Sequence, residues 1–359
     1  MAIKERIKKM SLYKPPLEGR ASKGYLLLDF NERTIAPSPK VREALKKFID
    51  SDRLQIYPEY GDLEAKIAKY AGVKPEQVMV TNGGDQGIDI ISRAYLDEGD
   101  NIIIPFPGFA MHYQSVGIQG AEILEPSYNE KTGIFPLEKV LNLISNNGKI
   151  KLVILCNPNN PLGVSISIED VEKILKKAEE RGIAVLHDEA YFEFSGITCK
   201  DLIDKYDNLY IMRTFSKAFG LVASRVGYLI SQEKNLQQLQ KIRGPYDVNM
   251  FAKTAVLAAL ENVNYMKEYV KEVMEKSKPT LENFLKEKDV NFFPSQANFL
   301  FLKVPRPKEI IEGLKKEGIL VRPKKGLGDK DGIRISIGTL EDTEKFMKAF
   351  NKVFERMSK

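Results

Sequence analysis

Residues 151–191 read "KLVILCNPNNPLGVSISIEDVEKILKKAEERGIAVLHDEAY". The segment opens on an unbroken apolar run, closes on another at 182–191, and carries a helical pattern between them. Apolar runs without polar alternation are how strands read when both faces of a parallel sheet are covered. Ser167 and Asp170 fit a capping box, and Val171, Ile174, Leu175 and Ala178 fall at i, i+3, i+4 and i+7 on one helix face. Gly182 supplies the stop. Strand, helix and strand in this order form a βαβ unit, which predicts a doubly wound sheet.

Similar runs occur on either side. "NIIIPFP" (101–107) and "NLYIMRTFSK" (208–217) read as further buried strands. A strand at 78–80 leads through a Gly-rich turn into a helix with Ile88, Ile91 and Tyr95 facing inward. Beyond about residue 250 the pattern changes. "NYMKEYVKEVMEKSK" predicts a helix stopped or kinked near Pro279, and "QANFLFLKV" and "GIRISIGT" predict strands. A last helix from Glu341 carries Phe346, Met347, Phe350, Val353, Phe354 and Met357 on one face. The expected class is α/β, with a mostly parallel doubly wound sheet in a large domain and a smaller α+β domain. Residues 1–40 are expected to form an N-terminal arm and part of the small domain, 41–250 the large domain, and 251–359 the rest of the small one.

Composition bounds the function. The 359 residues are 43% hydrophobic and 29% charged, as in ordinary globular chains. The net charge of +6 is scattered through stretches such as "ILKKAEERG", which argues against a nucleic-acid stripe and suits an anionic small substrate. No apolar run reaches membrane-spanning length, and the basic N-terminus has no signal core, so no membrane role and a cytoplasmic location are expected. Cys156 and Cys199 make no disulfide framework. His112 and His187 have no partners at metal-ligand spacing, so no metal is expected. GxSxG, GK[ST] and G-x-G-x-x-G signatures are all lacking, which excludes the common hydrolase, P-loop and dinucleotide readings.

In open α/β sheets, ligands bind beyond the carboxyl ends of the strands. Three successive strands end in "NPNNPLG", in Asp188-Glu189-Ala190-Tyr191, and in Thr214, Ser216 and Lys217. Singly, each has a plain explanation as turn, cap or snorkelling lysine. Together with the helix start at Gly84, Asp85 and Gln86, which favours a phosphate, they describe a site for pyridoxal phosphate. Lys217, set among apolar residues, would form the Schiff base, and Asp188 would pair with the pyridinium nitrogen. Asn160 and Tyr191 would bond the phenolic oxygen. Thr214, Ser216 and Arg225 would hold the phosphate, and Phe109 would stack on the ring.

These stretches, with "LLLDFNER", "IYPEYG", "TNGGDQGID", "TFSKAFGLVASRVGY" and "ANFLFL", resemble the fold-type I pyridoxal-phosphate aminotransferases of class I/II over nearly the whole chain. Within that family the chain most resembles the histidinol-phosphate subgroup. The resemblance implies a ping-pong exchange from glutamate, the amino donor, to a phosphorylated keto acceptor. It gives Lys217 the proton shuttle and supports the roles of Asp188, Asn160, Tyr191, Thr214, Ser216 and Arg225. It implies a homodimer in which Tyr57 reaches the neighbouring subunit's cofactor phosphate. It assigns Arg334 to the substrate's anionic group and Arg322 to helping with the substrate phosphate, and places Tyr13 and Asn31 in N-terminal segments along the substrate pocket. For the two arginines, the plain alternative is a surface ion pair. The chain departs from the family's pattern at Phe109, where tyrosine is usual, and at "NPLG" in place of "NPTG". It also has "NERT" in place of "NENP" and His112 in place of an aromatic residue; both changes are expected to face the substrate. Rival readings are an aromatic or acidic amino-acid aminotransferase, a threonine-phosphate decarboxylase, and a cofactor-sensing regulator. The regulator is disfavoured because the family pattern begins by Tyr13.

Overall fold

The computed structural model describes residues 3–327 and 331–357. Along the chain the strands are β1 (Leu26–Leu27), β2 (Val78–Thr81), β3 (Asn101–Ile103), β4 (Glu122–Leu124), β5 (Ile150–Cys156), β6 (Ala184–Asp188), β7 (Leu209–Thr214), β8 (Gly227–Ile230), β9 (Asn291–Phe292), β10 (Phe299–Lys303), β11 (Ile319–Leu320), β12 (Arg322–Lys325) and β13 (Asp331–Ser336). The four central apolar runs are β3, β5, β6 and β7, and every residue of β6 and β7 is buried. Among the described residues the main sheet has seven strands in the order β2-β8-β7-β6-β5-β3-β4. β8 alone runs opposite to the other six. The mostly parallel, doubly wound expectation holds.

The order of the sheet explains where a ligand can sit. From β3 the chain steps outward to β4, then returns to β3's other side and proceeds through β5, β6 and β7. The crossover direction therefore reverses between β3 and β5, and the loops leaving these two strands part to open a crevice. Helices Gly83–Tyr95 and Ala110–Gln119 pack as one pair, and Leu137–Asn146 and Ile168–Glu179 as another. In Ile168–Glu179 the four residues read as its apolar face are all buried. Ser167 caps it by accepting from the Asp170 amide at 3.1 Å. Asp170 gives no reciprocal bond and pairs with Lys173 instead, so half of the expected capping box forms. Gly182 sits at φ +66°.

The second layer is an antiparallel sheet in the order β12-β13-β10-β9. Helix Val263–Glu272 is neither stopped nor sharply broken at Pro279. It widens into a π-helical turn at Val273–Ser277 and resumes as Lys278–Glu287, with the proline in its first turn. A proline removes one helical N–H, and the wider turn just before it accommodates that loss. The last helix, Leu340–Met357, buries Phe346, Phe350 and Val353 and half-buries Met347 and Phe354; the Met357 side chain lies outside the described residues. β1 pairs with β11, and Leu28 and Asn31 bond Ser336 of β13. The N-terminal segment is thereby laced to the second sheet.

Two substitutions should separate core packing from capping. Ile211→Ala, in the fully buried centre of β7, is expected to cost about 2–5 kcal/mol. Ser167→Ala should cost only about 1 kcal/mol. Urea midpoints of the two apoproteins would measure the difference.

Candidate active site

Strand register decides which side chains meet. Cys156 of β5 lies opposite Asp188 of β6, and Asp188 lies opposite Met212 of β7. Side chains alternate along a strand, so these three share a face, and Thr214, two residues past Met212, shares it too. All four line one cavity at the carboxyl ends of these strands, together with Phe109, Asn160, Tyr191, Ser216, Lys217 and Arg225. Gly84, Asp85, Tyr13, Arg322 and Arg334 complete its predicted lining.

Lys217 is partly buried, and its amine donates to the Phe30 carbonyl at 3.0 Å. Burial first, and the Arg334 charge second, bring its pKa down to about 8, against the opposing pull of Glu32 and Asp85. Asp188 is almost fully buried. One of its carboxylate oxygens accepts from the Ala190 amide, and the other meets His112 Nε2 at 3.0 Å. His112 is buried behind Asp188 and lines no part of the cavity, which corrects the expectation that it faces the substrate. Arg33 of "NERT" is corrected likewise. It bonds the Ala218 carbonyl at 3.0 Å and lies against the rings of Tyr265 and Tyr269, so it braces the lysine loop.

The Tyr191 phenol accepts from the amides of Asn31 and Asn160, at 2.9 and 3.0 Å. Two donors fill its lone pairs and leave its own hydrogen to give. Burial raises its pKa above that of an ordinary phenol, so it stays protonated. Asn31 therefore lies behind the site, fully buried, and positions Tyr191 instead of lining the pocket.

The start of helix Gly83–Tyr95 is shaped for close approach. Gly83 has φ +75°, and a Cβ there would come within 2.7 Å of Arg225 Nη2. Arg225 Nη2 meets Asp85 Oδ2 at 3.0 Å. Ser216 Oγ is buried and has no hydrogen-bond partner among the described residues. A phosphate at this helix start would satisfy that hydroxyl and meet Arg225, so the residues present fit pyridoxal phosphate. Gln86 lies outside the cavity; its side chain caps Asn82 N and bonds Asp247. Tyr57 is also outside, exposed and stacked on Tyr246 with ring centroids 4.4 Å apart.

Arg334 is 4% exposed, so it is no surface ion pair. Its guanidinium donates to Asn160 Oδ1 and the Asp29 carbonyl, both at 2.7 Å, and its Nε has no partner among the described residues. Arg322 lies over the Phe30 ring at 4.7 Å. Sequence reasoning did not single out Phe30, Glu32 and Lys324, which also line the cavity; Phe30 and Glu32 stand in "LLLDFNER", but the stretch does not tell which of its side chains turn inward. It also missed that His187, Glu189 and Cys199 come together in the core. There Glu189 already pairs with Arg213 at 2.8 Å, so the cluster carries its own countercharge.

The family model for aminotransferase class I and II matches residues 23–350, and the chain belongs to that family. Among its relatives, a protein of Bacillus thuringiensis subsp. konkukian named histidinol-phosphate aminotransferase 1 is 36% identical over 330 residues, covering 90% of this chain and 87% of the relative. A Staphylococcus aureus protein named histidinol-phosphate aminotransferase is 36% identical over 97% of this chain and 99% of its own. The fold matches the histidinol-phosphate aminotransferase of Sinorhizobium meliloti, solved with pyridoxal-5′-phosphate, at a TM-score of 0.88, with 22% identity and 99% and 98% of the two chains covered.

The low lysine pKa has a measurable consequence. With a pKa of about 8, roughly a tenth of Lys217 amines are neutral at pH 7 and roughly half at pH 8. The rate at which the apoprotein captures added pyridoxal phosphate should rise between pH 7 and 9 and then flatten. An ordinary lysine, with a pKa of about 10.4, would keep rising beyond pH 10.

Proposed function

We propose that this aminotransferase moves the amino group of glutamate to imidazole acetol phosphate, giving L-histidinol phosphate in histidine biosynthesis. The observation that carries the reading is Arg334, a buried guanidinium with neutral partners, standing in one cavity with Lys217 and a second arginine. A buried cation without a carboxylate is costly unless an anion joins it. Both proposed substrates bring one. The names of the relatives, at 36% identity over most of the chain, support the choice among aminotransferase substrates.

Pyridoxal phosphate, when bound, supplies the electron sink for the carbanion left as the amine carbon loses its proton. The chain's own residues do the rest. Ser216, Thr214, Arg225 and the first amides of helix Gly83–Tyr95 would hold the phosphate. Asp188, kept in place by His112 and the Ala190 amide, would pair with the ring nitrogen. Tyr191 and Asn160 would give hydrogen bonds to the phenolic oxygen, and Phe109 would cover the ring. Lys217 takes the proton from the donor's Cα and later returns one to the acceptor carbon, for which a pKa near working pH is suited. Arg334 and Arg322 orient the substrate through its anionic group, with Tyr13 beside them.

The active unit in this reading is a homodimer in the cytoplasm. Among the described residues no helix is long and apolar enough to cross a membrane. Leu54, Ile56, Tyr57, Tyr246 and Phe251 form an exposed apolar surface beside the site's own chain. A second copy would cover it, and Tyr57 would reach the phosphate held by that copy.

The test is the absorption of the holoenzyme as single amino donors are added without a keto acid. L-Histidinol phosphate and glutamate should both bleach the visible band, the former at lower concentration than any aromatic amino acid. Bleaching by glutamate or aromatic donors alone would move the substrate and keep the reaction. Lys217→Ala should abolish turnover, and Arg334→Met should lower kcat/KM for both substrates by about 30-fold or more, as loss of a buried charged contact does. Light scattering should give a dimer, in which Tyr57→Phe releases pyridoxal phosphate about ten times more readily, the loss of one charged hydrogen bond.

A further inference from the structure

β12 and β13 pair antiparallel, with Arg322 directly opposite Arg334. Lys324 stands two residues beyond Arg322 on the same strand, so all three side chains leave one face of the sheet. All three line the active-site cavity. Like charges set across from each other weaken a strand pair, and no carboxylate pairs with any of the three among the described residues. Lys324 is not a free surface lysine; it is half-buried, and burial first, then Arg334 and Arg322, lower its pKa to about 7. Lys325, the next residue, points away and is exposed.

A single carboxylate group is answered by one or two cations. Three of them, brought together against their own repulsion, suit an anion with two charges. We infer that Lys324 is a specificity-determining residue, which with Arg322 and Arg334 forms a three-cation seat for a phosphate monoester on the substrate. The inference rests on the proposed phosphorylated substrate and adds a residue to it. Each cation contributes a separate element of the seat: Arg334 a fixed fork held by Asn160 and Asp29, Arg322 a guanidinium steadied on Phe30, and Lys324 a mobile point charge.

The experiment compares wild-type holoenzyme with Lys324→Gln, Lys324→Arg and the exposed control Lys325→Gln. Bleaching by L-histidinol phosphate, by phosphate-free L-histidinol and by glutamate is measured, with inorganic phosphate as a competitor against glutamate. Lys324→Gln should raise the half-saturating concentration of histidinol phosphate by about tenfold, change that of histidinol by less than about threefold, and weaken phosphate inhibition by a similar factor of about ten, the usual size of one charged contact. Lys324→Arg should recover most of the loss, and Lys325→Gln should behave as wild type. Equal losses with histidinol and its phosphate would assign Lys324 a purely structural role and overturn the inference, as would no change with either. Should wild-type enzyme ignore histidinol phosphate, the substrate reading fails by itself. The phosphate competition then still decides the seat: inhibition lost in Lys324→Gln supports it, and inhibition unchanged overturns it.

Discussion

A guanidinium buried without a carboxylate governs this structure. Arg334 sits on the central strand of the second sheet, yet its hydrogen bonds run to Asn160 at the end of β5 and to the Asp29 main chain. One side chain thus ties together the main sheet, the second sheet and the N-terminal segment. Its partners are dipoles, so they orient the charge without cancelling it. Burial first, and this unspent field second, lower the pKa of both Lys217 and Lys324. The same charge that prepares the cavity for anions helps keep a lysine amine available at neutral pH.

Behind the cavity, charge is handled in the opposite way. Arg213 and Glu189 are both buried and paired at 2.8 Å, and Glu189 also meets His187 and the Cys199 amide. Burial alone would raise the Glu189 pKa, but Arg213 and His187 outweigh it and hold the carboxylate down at about 2. This charge-paired network lies one residue along from Asp188 on either side. It keeps the end of β6 rigid, so Asp188 is presented by a fixed backbone and steadied by His112. A buried cation paired with a carboxylate holds position; a buried cation held only by neutral groups leaves its charge open to an anion.

Much of the site was legible because the chemistry sits where strands end. Apolar runs located β5, β6 and β7, and the residues at or just past their ends, Asn160, Asp188, Thr214, Ser216 and Lys217, fell into the cavity together. The N-terminal and C-terminal contributions were read with less success. Asn31 was expected along the pocket and stands behind Tyr191; Gln86 was read for its main-chain amide at the helix start, and its side chain turns away to Asn82 and Asp247. His112 and Arg33 were expected at the substrate and brace Asp188 and the lysine loop. In each case the residue was placed near the site correctly, but the direction of its side chain depends on neighbours more than a hundred residues away along the chain for Asn31, Arg33 and Gln86, and seventy-six for His112.

By itself the sequence determined the alternation of strand and helix, the helix cap at Ser167, and the identity of the groups able to do the chemistry. These follow from local periodicity and from the side chains' own functional groups, which no distant contact alters. Only the tertiary structure decided that Arg322, Lys324 and Arg334 face one cavity as three cations, and that His112 stands behind Asp188. Those outcomes depend on strand register and on the meeting of separate sheets. Neither is encoded in any short stretch, because each is settled by packing between segments far apart in the chain.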